Sequence, residues 1–552
     1  ENPDLIEQAN RRARIEMQHE RILRKTQLRL FMMGGIFVIS FGVIGMRMTS
    51  LAVSEPIEPR ARATAAQILA SRADILDRNN RVLATNIETH SLYAHPRQII
   101  DPEGTARQLA EIFPDINVEK MAARLAGPQD FLWLKPAISP EEKQAVHDFG
   151  EPGLLFGPRE MRLYPNGQLA GHILGGTTFG AQGVHSAEVI GIAGVEKAFD
   201  TFLRDPRFDG QPLQLSIDVT VQSALEEALY GGMRLMNAKG ASAVLMDAHN
   251  GEIVSLASLP DFDPNNRPRP LIQGDASDSA LFNRAVQGVY ELGSAFKAFT
   301  VAQAMDLGLV EPGSMVDTKG PLRWGKHKIN DYRDYGAQLP VEKVLIKSSN
   351  IGTARLSLMI GSEFQKDFLD RLGLLTSTPI EVIEGPTGRP QYPSNWSDIS
   401  TMTISYGHGI STSPVHLAAG YAAIVNGGTL VKPTVLKQPT APLGARIITP
   451  KTSRQLRSMM RRVVTEGTAR MGDVPGYSVA GKTGTADKPS PDGGYYKDKV
   501  LATFASFFPS TDPRYVLIVT LDEPEDRTGV EPRRTAGATA VPVAAEIIRR
   551  VA

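Results

Sequence analysis

The chain has 552 residues and no cysteine, which excludes disulfides, zinc–thiolate centres and cysteine nucleophiles. It also has no excess of charge, because 60 Lys and Arg residues balance 60 Asp and Glu residues. A nucleic-acid-binding protein with an overall basic field is therefore not expected. With 42% hydrophobic and 22% charged residues, the composition is that of a globular protein rather than a disordered one. The length predicts two or more domains.

Signals for cofactors and metals are also missing. The sequence contains no cofactor-binding fingerprint, and His408 and His416 lack the spacing of metal ligands. We interpret both histidines as structural. We therefore predict that the protein uses no cofactor and has no metal site.

A single long apolar run lies near the N-terminus. Residues 30–46, "LFMMGGIFVISFGVIGM", are apolar except for Ser40, and the run with its flank approaches the thickness of a bilayer. Seven basic residues precede it: Arg11, Arg12, Arg14, Arg21, Arg24, Lys25 and Arg29. These charges disfavour a buried core helix, and no small-residue cleavage site follows, which disfavours a signal peptide. We predict a cytoplasmic tail at 1–27, an uncleaved anchor at 28–53 and an exported C-terminal bulk.

The region from 54 to 215 predicts short strands and helices after a polar linker. "ADILDRNNRVLATNI" predicts a hairpin around an Asn-Asn turn. Nothing here gathers a nucleophile, a base and oxyanion donors, so Arg162 and His172 are interpreted as structural.

The region from 216 to 552 has a different pattern. "VTVQSALEEALYGGMRLM" predicts a helix closed by its glycines, and "ASAVLMDAHNGEIVSLAS" predicts two strands joined by an Asn-Gly turn. "YSVAGKTGTA", "LATFASFFPS" and "RYVLIVTLDE" predict three more strands, "AVPVAAEIIRRVA" predicts a helix, and 489–499 predicts a polar loop. The expected fold class is α+β, with an antiparallel sheet flanked by helices.

The stretch "ELGSAFK" places Ser294 three residues before Lys297. If a helix begins here, both side chains lie on one face. A serine becomes a nucleophile only when a base takes its proton, and lysine is a base only when burial or a second cation lowers its pKa. Phe296 and Phe299 could exclude water. Taken alone, the pair is a weak signal and fits better a serine at a helix start beside a solvated lysine.

Two further groups follow in order along the chain. "KSSNIG" supplies Ser348 and Asn350, and "AGKTGTA" supplies Lys482, Thr483, Gly484 and Thr485. Each group alone is common. A Ser-x-x-Lys pair, then Ser-x-Asn, then Lys-Thr-Gly is the ordered motif set of the penicillin-interacting serine enzymes.

The surrounding blocks extend this likeness over almost everything after the anchor. They are "SRADILDRNNRVLA", "RLYPNGQLAGHILG", "GIAGVEKAFD", "LQLSIDVTVQ", "NRAVQGVYELGSAFK" and "SYGHGISTSPVHLAAGYAAIVNGG". With them the chain resembles the class B penicillin-binding proteins, peptidoglycan D,D-transpeptidases, most closely the division-specific FtsI type. The resemblance implies a transmembrane helix, an elongated non-catalytic pedestal domain of the dimerisation type at 54–215 and a transpeptidase domain at 216–552. The sequence of this chain departs from the family pattern at Ala73, Leu292, Ala295, Val415 and His416.

The resemblance implies that the substrate is a peptidoglycan stem peptide ending in D-Ala-D-Ala. Ser294 would attack the penultimate carbonyl, and an amine of a neighbouring stem would resolve the acyl-enzyme. Two ammonium groups about 4 Å apart repel by about 4 kcal/mol at a dielectric constant of about 20, which corresponds to about three pKa units. We therefore expect Lys297 to be neutral and to act as the base, and Lys482 to stay charged and attract the terminal carboxylate.

The other motif residues take supporting roles in the mechanism that the resemblance implies. Ser348 would relay a proton, and Asn350 would hold Lys297 and the donor peptide. The hydroxyls of Thr483 and Thr485 would donate to the substrate carboxylate, and Gly484 would allow its close approach. The backbone N–H groups of Ser294 and Thr485 would form the oxyanion hole.

The resemblance also implies a setting and partners. These are the bacterial inner membrane at the division septum, a periplasmic catalytic domain, a SEDS-type glycosyltransferase (FtsW) and small bitopic division proteins. Several alternatives stay open on the motifs alone. They are an elongation-type transpeptidase, a D,D-carboxypeptidase, a β-lactamase, and a non-catalytic β-lactam sensor or divisome scaffold.

Overall fold

The protein is described from a computed structural model that covers residues 24–25, 27–49, 72–182, 187–208, 210–378, 380–440, 444–490 and 493–552. The predicted polar linker and nearly all of the predicted cytoplasmic tail lie outside the described residues. The chain divides into two compact units. One comprises residues 1–65, 93–134 and 149–155, and the other comprises 66–92, 135–148 and 156–552.

The N-terminal apolar run forms a helix, α1, at Gln27–Thr49, with a mean hydropathy of 1.9 over its most apolar window. Its 23 residues rise by about 34 Å, which is enough to cross a bilayer core of about 30 Å. Its apolar side chains are exposed. The helix is therefore long and apolar enough to serve as a single membrane anchor; residues 50–53 of the predicted anchor lie outside the described part.

Between α1 and residue 216, the described residues form seven strands and six α-helices. The strands are β1 (Ile75–Leu76), β2 (Val82–Ala94), β3 (Leu132–Ile138), β4 (Leu154–Leu163), β5 (Gly176–Gln182), β6 (Ala187–Ala193) and β7 (Leu213–Gln214). The helices are α2 (Pro102–Ile112), α3 (Val118–Leu125), α4 (Pro140–His147), α5 (Gly171–Leu174), α6 (Gly194–Ala198) and α7 (Asp200–Arg204). One sheet has the order β3-β2-β1-β7, with β4 also paired to β2, and β5 pairs with β6.

The predicted hairpin is confirmed, since β1 and β2 pair antiparallel across a turn in which Asn80 has a φ of 65°. Next to it lies a buried ion cluster: Glu196 accepts from Arg72 Nε at 2.6 Å and from Arg162 Nε at 2.7 Å. Burial lowers the pKa of His172 to about 4, so this ring is neutral. Arg162 and His172 thus have the structural environments that the sequence indicated.

The region after residue 216 is built on an antiparallel sheet of order β14-β15-β16-β8-β9. Its strands, and four short strands beside them, are β8 (Gly240–Asp247), β9 (Ile253–Leu259), β10 (Met315–Asp317), β11 (Leu322–Trp324), β12 (His327–Ile329), β13 (Gln338–Pro340), β14 (Ala480–Pro489), β15 (Tyr495–Phe508) and β16 (Tyr515–Asp522). The α+β class is confirmed, as are the hairpin of β8 and β9 and the three C-terminal strands.

Nine α-helices accompany this sheet in the part of this region that the structure describes. They are α8 (Val219–Leu235), α9 (Lys297–Asp306), α10 (Val341–Lys347), α11 (Asn350–Ile360), α12 (Ser362–Arg371), α13 (Asp398–Ser405), α14 (Pro414–Val425), α15 (Pro450–Thr465) and α16 (Ala540–Val551). Strands β8 and β16 are buried along almost their whole length, as parallel or antiparallel strands covered on both faces must be. The central helix α14 is also buried throughout. The main core therefore lies around this sheet.

Two details of the sequence analysis were wrong. Helix α8 does not close at its glycines but continues to Leu235. A side-chain carbon added to Gly232 would lie 2.6 Å from Val543 of α16, so this glycine permits helix packing rather than ending the helix. The predicted loop 489–499 is shorter than expected, because the pairing of β14 with β15 extends to Pro489 and Tyr495.

Candidate active site

The segment that carries Ser294 is a 3-10 turn, Gly293–Phe296, that leads directly into α9 at Lys297. In a 3-10 turn the side chains at i and i+3 lie above one another, so Ser294 and Lys297 share one side, as predicted. Phe296 and Phe299 are buried and pack edge to face with ring centroids 5.4 Å apart. This apolar surround excludes water from the lysine, whose side chain is fully buried.

Ser294 itself is only partly buried. Within the residues that the structure describes, its hydroxyl has no hydrogen-bond partner. The hydroxyl is therefore free to approach a ligand, while the side chains of Lys297 and Lys482 are enclosed.

Ser348 links Lys297 and Lys482 by hydrogen bonds. Lys297 Nζ lies 2.6 Å from the Ser348 carbonyl oxygen, 3.0 Å from Ser348 Oγ and 2.7 Å from Asn350 Oδ1. Lys482 Nζ lies 3.0 Å from the same Ser348 Oγ and donates to the Thr483 carbonyl oxygen at 3.0 Å. Ser348 thus bridges the two lysines.

Burial lowers the pKa of Lys297 well below its ordinary value, and the charge of Lys482 lowers it further, against the opposing effect of Asp331. Burial also lowers the pKa of Lys482 to about 7. The sequence analysis expected repulsion between the lysines to be the main cause and expected Lys482 to stay charged. The structure instead makes desolvation the larger cause, because both side chains are fully enclosed.

The contacts of Lys297 show what a neutral amine can do here. A neutral amine has two N–H donors and one lone pair. The Ser348 carbonyl and Asn350 Oδ1 accept the two donors, since neither oxygen can donate a proton in return. The lone pair is then left for a hydroxyl proton, from Ser348 or from Ser294.

The loop that holds Ser348 is anchored by a residue that the sequence analysis did not identify, Asp331. Its carboxylate accepts from Ser349 Oγ at 2.6 Å, from Ile351 N at 3.0 Å and from Asn350 N. These bonds cap the start of α11. Ser348, directly before this cap, has a left-handed conformation with a φ of 63°, which is uncommon for residues other than glycine. Asp331 lies in a loop with no local spacing to the Ser-x-Asn motif, so the sequence offered no signal for it.

Strand β14 carries the Lys-Thr-Gly group at one edge of the sheet. The Thr483 carbonyl accepts from Lys482 Nζ, so it faces away from β15. Because alternate residues of a strand face the same way, the N–H of Thr485 also points to the free edge. The Thr483 hydroxyl lies 2.6 Å from that of Thr468, a second residue that the sequence analysis missed. Thr485 Oγ1 accepts from Ala536 N at 3.0 Å, which leaves its proton free to donate.

Three glycines bring the backbone segments of the site together. A side-chain carbon added to Gly484 would lie 2.1 Å from the Leu292 carbonyl oxygen, and one added to Gly293 would lie 2.7 Å from that of Thr485. One added to Gly407, whose φ is 80°, would lie 2.1 Å from the Gly293 carbonyl oxygen. Gly484 is therefore required for contact with the nucleophile segment; its predicted role toward the substrate stays a prediction.

His416 lies at the start of α14, where its Nδ1 is 2.8 Å from the hydroxyl of the cap residue Ser413 and its Nε2 is 2.8 Å from the Thr376 carbonyl oxygen. Burial lowers its pKa to about 4. His408 packs between the rings of Tyr406 and Tyr495. Both histidines therefore pack within the fold, as the sequence analysis indicated.

Two models of known protein families match this chain. Residues 241–549 match the family model "Penicillin binding protein transpeptidase domain", and residues 67–206 match "Penicillin-binding Protein dimerisation domain". The fold and the site thus define a penicillin-binding protein that joins these two domains.

Similarity to individual proteins shows which type of penicillin-binding protein this chain is. The chain is 34% identical to the "Probable peptidoglycan D,D-transpeptidase FtsI" of Caulobacter vibrioides, over 96% of this chain and 88% of the relative. It is 33% identical to the "Probable peptidoglycan D,D-transpeptidase PenA" of Neisseria meningitidis, over 82% and 80%. It is 30% identical to the "Peptidoglycan D,D-transpeptidase FtsI" of Escherichia coli K12, over 83% and 80%. The chain belongs to the class B penicillin-binding proteins of the FtsI type.

Proposed function

We propose that this chain is a serine-type peptidoglycan D,D-transpeptidase that cross-links stem peptides ending in D-Ala-D-Ala during septum formation. The observation that carries the proposal is that Ser348 bridges the two buried lysines, Lys297 and Lys482, next to the segment that carries the partly exposed Ser294. The names of the relatives support the same activity. No cofactor is needed for this chemistry.

In the acylation step, Ser294 Oγ attacks the carbonyl of the penultimate D-Ala and its proton passes to the lone pair of Lys297. The N–H groups of Ser294 and Thr485 stabilise the oxyanion; each such donor contributes about 3 kcal/mol. The C–N bond then breaks, and the leaving D-Ala amine takes up the proton. Ser348 is positioned to deliver it, because its Oγ lies 3.0 Å from both lysine nitrogens.

Lys482 and the two threonines account for recognition of the terminal carboxylate. An ammonium group attracts a carboxylate, and hydroxyl donors orient it. In the second step, the amine of another stem peptide attacks the acyl-ester carbonyl, the ester bond to Ser294 breaks, and the serine regains its proton. The product is an amide cross-link.

The setting proposed for this activity is the inner membrane of a bacterial cell at the division site. The apolar helix α1 supports a single-pass anchor, with a cytoplasmic N-terminus and a periplasmic catalytic region. The pedestal at 54–215 and the transpeptidase domain at 216–552 are proposed as the functional divisions. An FtsW glycosyltransferase and small bitopic division proteins are the proposed partners, by likeness to the FtsI type.

The proposed activity is tested by turnover of a thioester analogue of D-Ala-D-Ala, with and without an amine acceptor. We expect acyl-enzyme formation, and an amide product that increases with the acceptor concentration. Thiol release and mass spectrometry of the products measure both fates. Hydrolysis alone at every acceptor concentration would indicate a carboxypeptidase, and stable acylation without turnover would indicate a β-lactam sensor.

The pKa of Lys482 leads to a prediction about pH. The ammonium form of Lys482 is lost as the pH rises through about 7. The pH dependence of the second-order rate constant for acylation reports the pKa values of groups in the free enzyme. Acylation by a penicillin with a free carboxylate is therefore expected to slow above pH about 7, whereas acylation by its methyl ester should not. Both should slow at low pH, where Lys297 gains a proton. Parallel profiles for acid and ester at high pH would contradict the carboxylate role of Lys482.

A further inference from the structure

A second polar cavity, of about 500 Å³, lies beside the Ser-x-Asn loop. Its wall includes Asn330, the cations Lys319 and Arg333, and the acids Asp331 and Asp334. The Asn330 carbonyl accepts from Asn350 Nδ2 at 3.0 Å, and Asn350 in turn contacts Lys297 at 2.7 Å. The cavity and the catalytic lysine are thus separated by one asparagine side chain.

The cavity wall carries two cations and two acids. Residues 319–334 contain five Lys and Arg residues and two acids, Asp331 and Asp334. Both oxygens of Asp331 accept the bonds that cap α11, and Asp334 Oδ1 accepts from Gly336 N at 2.9 Å. Among the described residues, neither acid forms an ion pair with the two cations.

The two cations of the cavity have no anionic partner. Of the ion pairs among the described residues, none includes Lys319 or Arg333, and both side chains are exposed. The Arg333 guanidinium lies over the ring of Tyr332, with its carbon 5.6 Å from the ring centroid. Two exposed and unpaired cations at a concave surface form a site suited to a carboxylate.

We infer that this cavity is the acceptor subsite, in which Lys319 and Arg333 bind a carboxylate of the incoming amine-bearing stem peptide. This inference rests on the proposed transpeptidase function. A stem peptide that ends in D-Ala carries a free carboxylate in addition to its attacking amine, so one peptide supplies both groups. Held here, its amine reaches the acyl-ester past Asn350 and gives up its proton on the side of Ser348. An amide bond forms, the ester to Ser294 breaks, and the proton returns to Ser294 Oγ.

The test uses the full chain in detergent with a D-Ala-D-Ala thioester as the donor. Two acceptors are compared, Nα-acetyl-Lys-D-Ala with a free carboxylate and its carboxamide. The readout is the partition of the acyl-enzyme between amide product and hydrolysis, which does not depend on how fast the acyl-enzyme forms. We expect the wild type to prefer the carboxylate acceptor about threefold to tenfold, the range that two exposed ion pairs provide.

The double variant Lys319→Gln/Arg333→Gln is expected to lose this preference. The matched control is Lys451→Gln/Arg454→Gln on α15, where both side chains are also exposed. The start of α15 lies at the end of α9 that is far from Lys297, because Thr449 N, just before α15, donates to Asp306. The length of α9 separates Asp306 from Lys297 by about 15 Å. This control should keep the preference of the wild type.

The outcomes separate the two proposals. An amide product with the same acceptor preference in the wild type and the Lys319/Arg333 variant would overturn the subsite alone, and would assign the cations to an acidic partner or lipid instead. A wild type that forms no amide product would overturn the transpeptidase function and the subsite with it. A preference lost equally in the α15 control would show a general charge effect and would also overturn the subsite.

Discussion

Replacing Ser294 with alanine is expected to abolish covalent labelling by a penicillin. The other groups near the reacting carbonyl cannot substitute for it, because Lys297 and Lys482 are fully buried and Ser348 Oγ is held between them. An acyl-enzyme needs an oxygen that can reach the carbonyl and lose its proton. Intact-mass spectrometry should show no added mass, and digestion of the labelled wild type should place the adduct on the Ser294 peptide.

A suitable control for this change is Ser362→Ala. Ser362 begins helix α12, so the substitution also removes a hydroxyl at a helix start. This variant should label like the wild type. An adduct of undiminished yield on Ser294→Ala would show that another residue is the nucleophile and would remove the basis of the proposed mechanism.

Replacing Lys297 with methionine is expected to slow acylation by about 10²- to 10⁴-fold, the usual contribution of a general base. Methionine fits the buried volume but has no lone pair of comparable basicity. It also leaves the Ser348 carbonyl and Asn350 Oδ1 without the donor that they now have. The rate constant for acylation by a fluorescent penicillin, measured by stopped flow, checks the prediction.

Thermal unfolding of the same variant distinguishes loss of the base from loss of the fold. Lys432→Met is the matched control, since Lys432 is exposed and lies outside the site. Its acylation rate should equal that of the wild type. A Lys297→Met protein that is folded and acylates within tenfold of the wild type would assign the role of base to another group.

The sequence was sufficient to predict the elements that carry the catalytic groups. The Asn-Gly turn between β8 and β9 and the apolar strands β15 and β16 are local signals, and they specified the sheet. The 3-10 turn before α9 also matched, because Ser294 and Lys297 are close in sequence. Asp331 and Thr468 were missed because they contact the motifs only after the chain has folded over long separations.

The main cause of the shifted lysine pKa values could not be predicted from the sequence. Repulsion between two ammonium groups can be estimated from an assumed distance alone. Desolvation depends on how completely the fold encloses each side chain, and no local pattern reports that. The zero exposure of Lys297 and Lys482 is a property of packing, and so the larger cause of the shifted pKa values could be identified only in the structure.

The contact of Gly293, Gly407 and Gly484 limits how this protein can evolve under antibiotic selection. In the proposed mechanism a β-lactam and the natural peptide react at the same serine, so a resistant form must disfavour one while still accepting the other. A side chain at any of these glycines would collide with a backbone carbonyl and move the serine for both reactants alike. Selection is therefore expected to leave the three positions unchanged and to accumulate substitutions on the surrounding surface.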